Sequence, residues 1–217
     1  MLAFARKEPS AVLFAAQLAA LLLYPALEGR EVGRALFSVL GIAFLGLVVL
    51  AVRSSPTWTW VGVLLSVPAS VLLLIQAVTG SDTLLPYSSA FEAVLYFYAA
   101  GGLIAYMLAD HEITRDELFA VGATFTLVAW GFAYVYVVCQ AGASQSFTAA
   151  VRPTADRSWV ELLFLSFTTL SSTGLSDVVP IRPFARSLVM LEQVAGVAYV
   201  AMVVSRLVGL TVMRRDR

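Results

Sequence analysis

Seven consecutive residues, Ser171-Ser172-Thr173-Gly174-Leu175-Ser176-Asp177, put four hydroxyls, one glycine and one carboxylate into a single short stretch. A loop rich in hydroxyls and a glycine suggests an ion path where it lies at membrane depth, with carbonyls able to replace the water around a dehydrated cation. The chain has one cysteine, Cys139, one histidine, His111, and no H-E-x-x-H spacing, so disulfide and zinc chemistry have no support. Its intramembrane polar residues supply no nucleophile–base pair, which argues against an enzyme. The neighbours decide how the stretch is placed. Residues 159–170 are apolar but too few to cross a bilayer, whereas residues 184–213, after Val178-Val179-Pro180, are enough to span it. A half-span, a polar loop and then a full span is the order of parts in a re-entrant loop. Backbone without helical hydrogen bonds is tolerated at membrane depth only where protein or a water-filled cavity satisfies it.

Composition agrees with a membrane setting. The 217 residues are 60% hydrophobic and 13% charged, about half the charged share of a soluble domain. Apolar runs predict six spans, over residues 11–27, 33–52, 58–78, 88–109, 117–140 and 184–213. The expected fold class is an all-α integral membrane protein of six transmembrane helices, with a re-entrant helix and loop between helices five and six. Thr114-x-x-Glu117 and Ser158-Trp159-Val160-Glu161 read as capping boxes, which makes Glu161 a helix cap and not an ion ligand. Arg6 and Lys7 ahead of an apolar run have the general form of a signal peptide, but the run continues through Tyr24-Pro25-Ala26 without a clear cleavage site.

With the N-terminus inside, cytoplasmic segments hold Arg6, Lys7, Arg53, Arg115, Arg214, Arg215 and Arg217, against Arg30, Arg34, Arg152, Arg157 and Arg182 outside. That is the sense of the positive-inside rule. The expectation is a multi-pass cell-membrane protein with both termini cytoplasmic, whose loop 141–157 and re-entrant stretch face the outside. The fourth span has no Arg or Lys, so it lacks the charges that a voltage sensor moves through the field. Residues 1–110 then read as a scaffold and 111–217 as the functional half. Glu92, near the outer end of the fourth span, reads as solvated, and Gly101-Gly102 as a site of close helix packing. Glu192 is expected to hydrogen-bond behind the short helix, and Arg206 to snorkel to the inner headgroups. Arg182 and Arg186 either repel cations or pair with Asp177. Net charge is zero and no basic cluster suggests nucleic acid.

The run from Ser166 to Pro180 (S-F-T-T-L-S-S-T-G-L-S-D-V-V-P) resembles the pore of tetrameric potassium channels, which typically reads T-x-T-T-V-G-Y-G-D-x-x-P. Arg186-Ser187-Leu188 and Leu191-Glu192-Gln193-Val194-Ala195-Gly196 look like the inner helix of the bacterial two-helix pore domain. The resemblance covers residues 117–213; the first four spans match by topology only. It implies a homotetramer around a central pore in the lipid bilayer, since one such loop cannot enclose a path. Monovalent cations are the implied partners, and a permeant potassium ion takes the place of any cofactor. By position, Ser171 leads into the filter and Ser172 stands at the threonine of the innermost site. Thr173, Gly174, Leu175 and Ser176 stand at V-G-Y-G, so potassium would be held through Ser172, Thr173, Gly174 and Leu175. Asp177 stands behind the outer mouth, and Gly196 near the inner-helix hinge, with plain helix packing as its other reading.

The departures are specific. Gly174 is the one filter glycine, and Ser176 replaces the second at a position whose backbone costs a residue with a side chain ~1–2 kcal/mol. Leu175 lacks the tyrosine hydroxyl that tethers the filter, and Thr173 puts a hydroxyl where an aliphatic side chain packs. The implied function is a passive, potassium-permeable cation channel that is not voltage-gated in the ordinary way. A non-selective cation channel and a non-conducting scaffold or partner subunit are the alternatives that these departures keep open.

Overall fold

The computed structural model describes residues 8–27, 46, 59–79, 82–109 and 114–215. The predicted second span, 33–52, lies outside the described residues apart from Gly46. The others appear as α1 (Pro9–Leu27), α2 (Thr59–Thr79), α3 (Leu85–Leu108), α4 (Arg115–Gly142) and α6 (Pro183–Arg215), with the short α5 (Trp159–Leu170) between the last two. Among the described residues four helices, Trp60–Thr79, Leu85–Leu108, Arg115–Gly142 and Pro183–Val208, are long and apolar enough to cross a membrane. With 12 residues, α5 is about 18 Å long, half a bilayer. The chain is an all-α membrane protein with one small addition, the antiparallel pair β1 (Phe147–Ala149) and β2 (Val178–Pro180).

Helix boundaries follow local chemistry. Pro86 sits in the first turn of α3, where a missing N–H costs nothing. Thr114 caps α4 by accepting from the Glu117 N–H at 3.2 Å. Ser158 and Glu161 form a complete capping box on α5: the Ser158 hydroxyl accepts from Glu161 N and the Glu161 carboxylate accepts from Ser158 N. Glu161 is a cap, as its spacing predicts.

The most extensive helix contact is between α3 and α4. The stripe Ala120, Ala123, Leu127, Trp130 and Ala133 on α4 recurs every third or fourth residue and is buried, so these helices approach through small side chains. Gly131 admits Phe97 and Gly122 admits Phe14, each ring within about 3 Å of where a Cβ would stand. Gly101 is exposed with open space around it, so close packing at the glycine pair falls to the buried Gly102 alone. One core joins Leu13, Ala69, Leu95, Leu127 and Leu163, and therefore α1 to α5. A second, from Tyr136, Phe147, Leu162, Val178 and Val189, fixes the strands and α6 around α5.

Polar contacts tie α1 and α6 to the start of α4. The Asp116 carboxylate accepts from both the main-chain N–H and the hydroxyl of Ser10, at 2.9 and 2.8 Å, and Gln17 donates to the Ala123 carbonyl. Arg206 is not left to the headgroups: it pairs with Glu117 at 3.2 Å, 89 residues away. Glu92 also departs from expectation. It is 2% exposed, with the Tyr134 hydroxyl in hydrogen-bonding reach, because α4 covers the face of α3 on which it lies.

Candidate functional site

The loop 171–177 leaves α5 through a left-handed cap whose hydrogen bonds fix its first half. Ser172 N–H donates to the Thr169 carbonyl and Thr173 N–H to the Thr168 carbonyl, both at 3.0 Å. With Ser172 at φ 60°, this is the pattern of a Schellman motif. Gly174, at φ 65°, donates a second main-chain N–H to Thr168 O at 3.0 Å, and the Thr173 hydroxyl approaches the same oxygen at 3.3 Å. The Ser171 hydroxyl donates to Phe167 O at 2.6 Å and lies 3.0 Å from the Thr173 hydroxyl. The far half is held more lightly: Val178 N–H donates to Ser176 Oγ at 3.1 Å. Leu175 is 78% exposed.

The strain therefore falls elsewhere than the resemblance implies. Ser176 does not adopt a positive φ; Ser172 does, as the residue after the helix cap, where glycine is usual. Holding serine there costs ~1–2 kcal/mol. Ser172→Gly is expected to raise thermal stability by about 1 kcal/mol, the relief less the added freedom of the unfolded chain. Ser172→Val, β-branched at a positive φ, is expected to lower it. Melting of the detergent-solubilised variants measures both, and a valine variant as stable as wild type would contradict the geometry.

Among the described residues nothing donates to the main-chain carbonyls of Ser171 through Ser176, and residues 171–175 are exposed in the single chain. Main-chain carbonyls need partners, so these six oxygens are available to water or a cation. No ion pair joins Asp177 to Arg182 or Arg186 among the described residues; Arg186 instead donates to the Pro180 carbonyl at 3.2 Å, at the end of β2.

Two supports hold the loop from behind. The first is a close approach of α6 to the end of α5: a Cβ at Gly196 would lie 2.1 Å from the Leu170 carbonyl oxygen. The second is the segment 143–158, which the sequence offers only as a polar loop. Its β1 pairs with β2 in the register Phe147↔Pro180, Thr148↔Val179 and Ala149↔Val178, and Ile181 N–H donates to Ser146 O at 2.9 Å. The stretch just after the loop is thus joined to the stretch before α5. Arg157, 4% exposed, anchors the segment by donating to the carbonyls of Val151, Arg152 and Ala155. The Gln140 amide clamps the main chain of Arg157 on both sides, accepting at 2.8 Å and donating at 3.1 Å. An arginine at the end of the polar loop, Arg157, and a short β-branched pair, Val178-Val179, were the available sequence signals for this support.

Glu192, read as a hydrogen-bonding group behind the short helix, is fully buried and contacts the Ser166 hydroxyl of α5 and the Tyr136 hydroxyl of α4. Tyr136 carries no motif of its own and Ser166 opens the pore-like run with no role assigned to it; their polarity within apolar runs was the signal for this contact.

Comparison with known proteins places these parts in context. Residues 122–212, which contain α5, the loop and most of α4 and α6, match the family model described as ion channel. Over 112 residues the chain is 30% identical to Protein LctB of Geobacillus stearothermophilus, covering 50% of this chain and 80% of that protein. No solved structure matches.

Proposed function

The chain belongs to the ion channel family, and from that premise we propose that it forms a homotetrameric, potassium-permeable channel in the cell membrane, with both termini cytoplasmic. The observation that carries this reading is the row of six carbonyls, Ser171 to Ser176, to which nothing among the described residues donates and which is presented from the C-terminal end of α5. A helix C-terminus carries partial negative charge, which favours a cation at the loop. Ions would shed water onto these carbonyls and the hydroxyls of Ser172 and Thr173, and move passively down their gradient. Residues 1–110 would serve as a scaffold, and 111–217 as the pore domain.

The inner helix supports the same reading. Val194, Val197, Val200, Val204 and Val208, three or four residues apart on α6, are exposed within one chain. Four such stripes around an axis would be covered by assembly, and their lower part would form an apolar constriction that gates by dewetting. Gly196 stands at the turn of α6 that bears on α5, above that part.

A non-selective monovalent cation channel is the second reading. It is favoured by the light attachment of the loop beyond Gly174 and by Leu175, which has no hydroxyl to tether it. Reconstitution of the full chain into lipid vesicles, with potassium or sodium as the driving cation, separates the two. Potassium selectivity predicts a flux ratio of about tenfold or more, a ~1.4 kcal/mol difference in site affinity. Equal fluxes select the second reading. No flux of either ion from a preparation shown to be tetrameric refutes both.

A further inference from the structure

Glu192 sits in a cluster whose hydrogen bonds can be counted. Three contacts join four groups: the Ser166 hydroxyl to the Ala129 carbonyl at 2.7 Å, the Ser166 hydroxyl to one Glu192 oxygen, and the Tyr136 hydroxyl to the other. Each contact needs one proton. Ser166 and Tyr136 own one apiece, and the Ala129 carbonyl owns none. If Glu192 were a carboxylate, one contact would set two acceptors against each other without a proton between them.

The surroundings lead to the same assignment. Glu192 and Ser166 are both 0% exposed. From α4 the partner is Tyr136 and from α5 Ser166, and the described ion pairs, Arg157–Glu161 and Arg206–Glu117, do not involve Glu192. A buried carboxylate with no counter-charge carries a large desolvation cost, and neutralisation is the usual escape. A carboxylic acid supplies the missing proton, with Glu192 donating to Ser166, Ser166 to Ala129 O, and Tyr136 to Glu192.

We propose that Glu192 is a neutral carboxylic acid that acts as a positioning residue for the pore loop. It pins α5 to α4 and α6 at Ser166, two residues before Thr168, the carbonyl on which the loop is folded. The flux consequences rest on the channel reading above; the protonation state does not. Titrating Glu192 would place a charge behind α5 and remove the Glu192–Ser166 link, so conduction would depend on a group that no permeating ion touches.

The test uses the full chain in lipid vesicles. Infrared difference spectroscopy of wild type minus Glu192→Gln at neutral pH is expected to show a protonated-carboxyl stretch belonging to Glu192; the buried Glu92 is common to both samples and cancels. Glu192→Gln, whose amide can donate to Ser166 and accept from Tyr136, is expected to keep cation flux within about twofold of wild type. Ser166→Ala and Glu192→Ala, which leave buried hydrogen-bonding groups unpartnered, are expected to lose about tenfold. A carboxylate band in place of the acid band in that difference spectrum overturns the proposal, whatever flux the variants carry. So does a glutamine variant as impaired as the alanine one. An acid band in a chain with no flux would uphold the assignment of the proton and refute the channel reading instead.

Discussion

Replacing Gly196 by alanine is expected to destabilise the protein, although alanine is the better helix former. Two effects of opposite sign meet at this position. In an exposed helix interior, glycine to alanine gains ~1 kcal/mol of helix propensity. At Gly196 the new Cβ would lie 2.1 Å from the Leu170 carbonyl oxygen and 2.9 Å from its carbon. These are main-chain atoms at the end of a helix and cannot rotate aside as a side chain would. Overpacking of a filled interior costs ~1–3 kcal/mol and more where backbone must move, so the clash wins. Gly101→Ala is the matched control, since nothing lies within 4 Å of its Cβ position, and it is expected to be neutral or stabilising.

Thermal unfolding of the two variants decides between the roles open to Gly196. As a contact point it should give a large loss of melting temperature and a displaced loop, because Leu170 is the last residue of α5. As a hinge alone it should melt like wild type or higher and change only gating. The second outcome would mean that α6 and α5 do not approach this closely in the membrane.

The parts legible in the sequence were those written by local chemistry. The half-span, loop and full span are set by apolar run lengths, and the α5 start by a capping box complete within four residues. Glu192 was legible because a carboxyl in an apolar helix must find partners. The contacts that escaped are those between distant residues. Glu92 looked solvated until α4 covered it, and Arg206 finds Glu117 across 89 residues. The strands are three residues long and separated by α5 and the loop, so no periodicity announces them. Ser172 was missed for a different reason. The left-handed cap is signalled in sequence by glycine, and here serine occupies it, so the sequence points instead to Ser176, where a family glycine is absent.

Arg157→Ala is expected to have the other large effect, felt at the far side of the loop, next to β2. The arginine side chain is fully buried and Glu161, its ion-pair partner at 3.4 Å, is 26% exposed. That ion pair contributes little once solvent screening is counted. The main-chain carbonyls matter more. Val151, Arg152 and Ala155 each lose a charged donor, and at ~1 kcal/mol apiece the loss is about 3 kcal/mol. Arg157→Lys should fall between, since an ammonium keeps the charge but cannot reproduce the planar fork that reaches several carbonyls at once. Hydrogen exchange reads the result locally: opening of the segment by that free energy accelerates exchange about a hundredfold. The amides to watch lie in β1 and, across the pairing, in Val178 and Val179, immediately after the loop. If exchange rises in 147–155 but stays unchanged at 178–179, the strand pairing does not transmit support to the loop. If it rises in both, Arg157 braces the far half of the loop, where the Ser176 hydroxyl accepts from the strand, and on the channel reading a weakened cation preference should accompany it in the same vesicle flux assay.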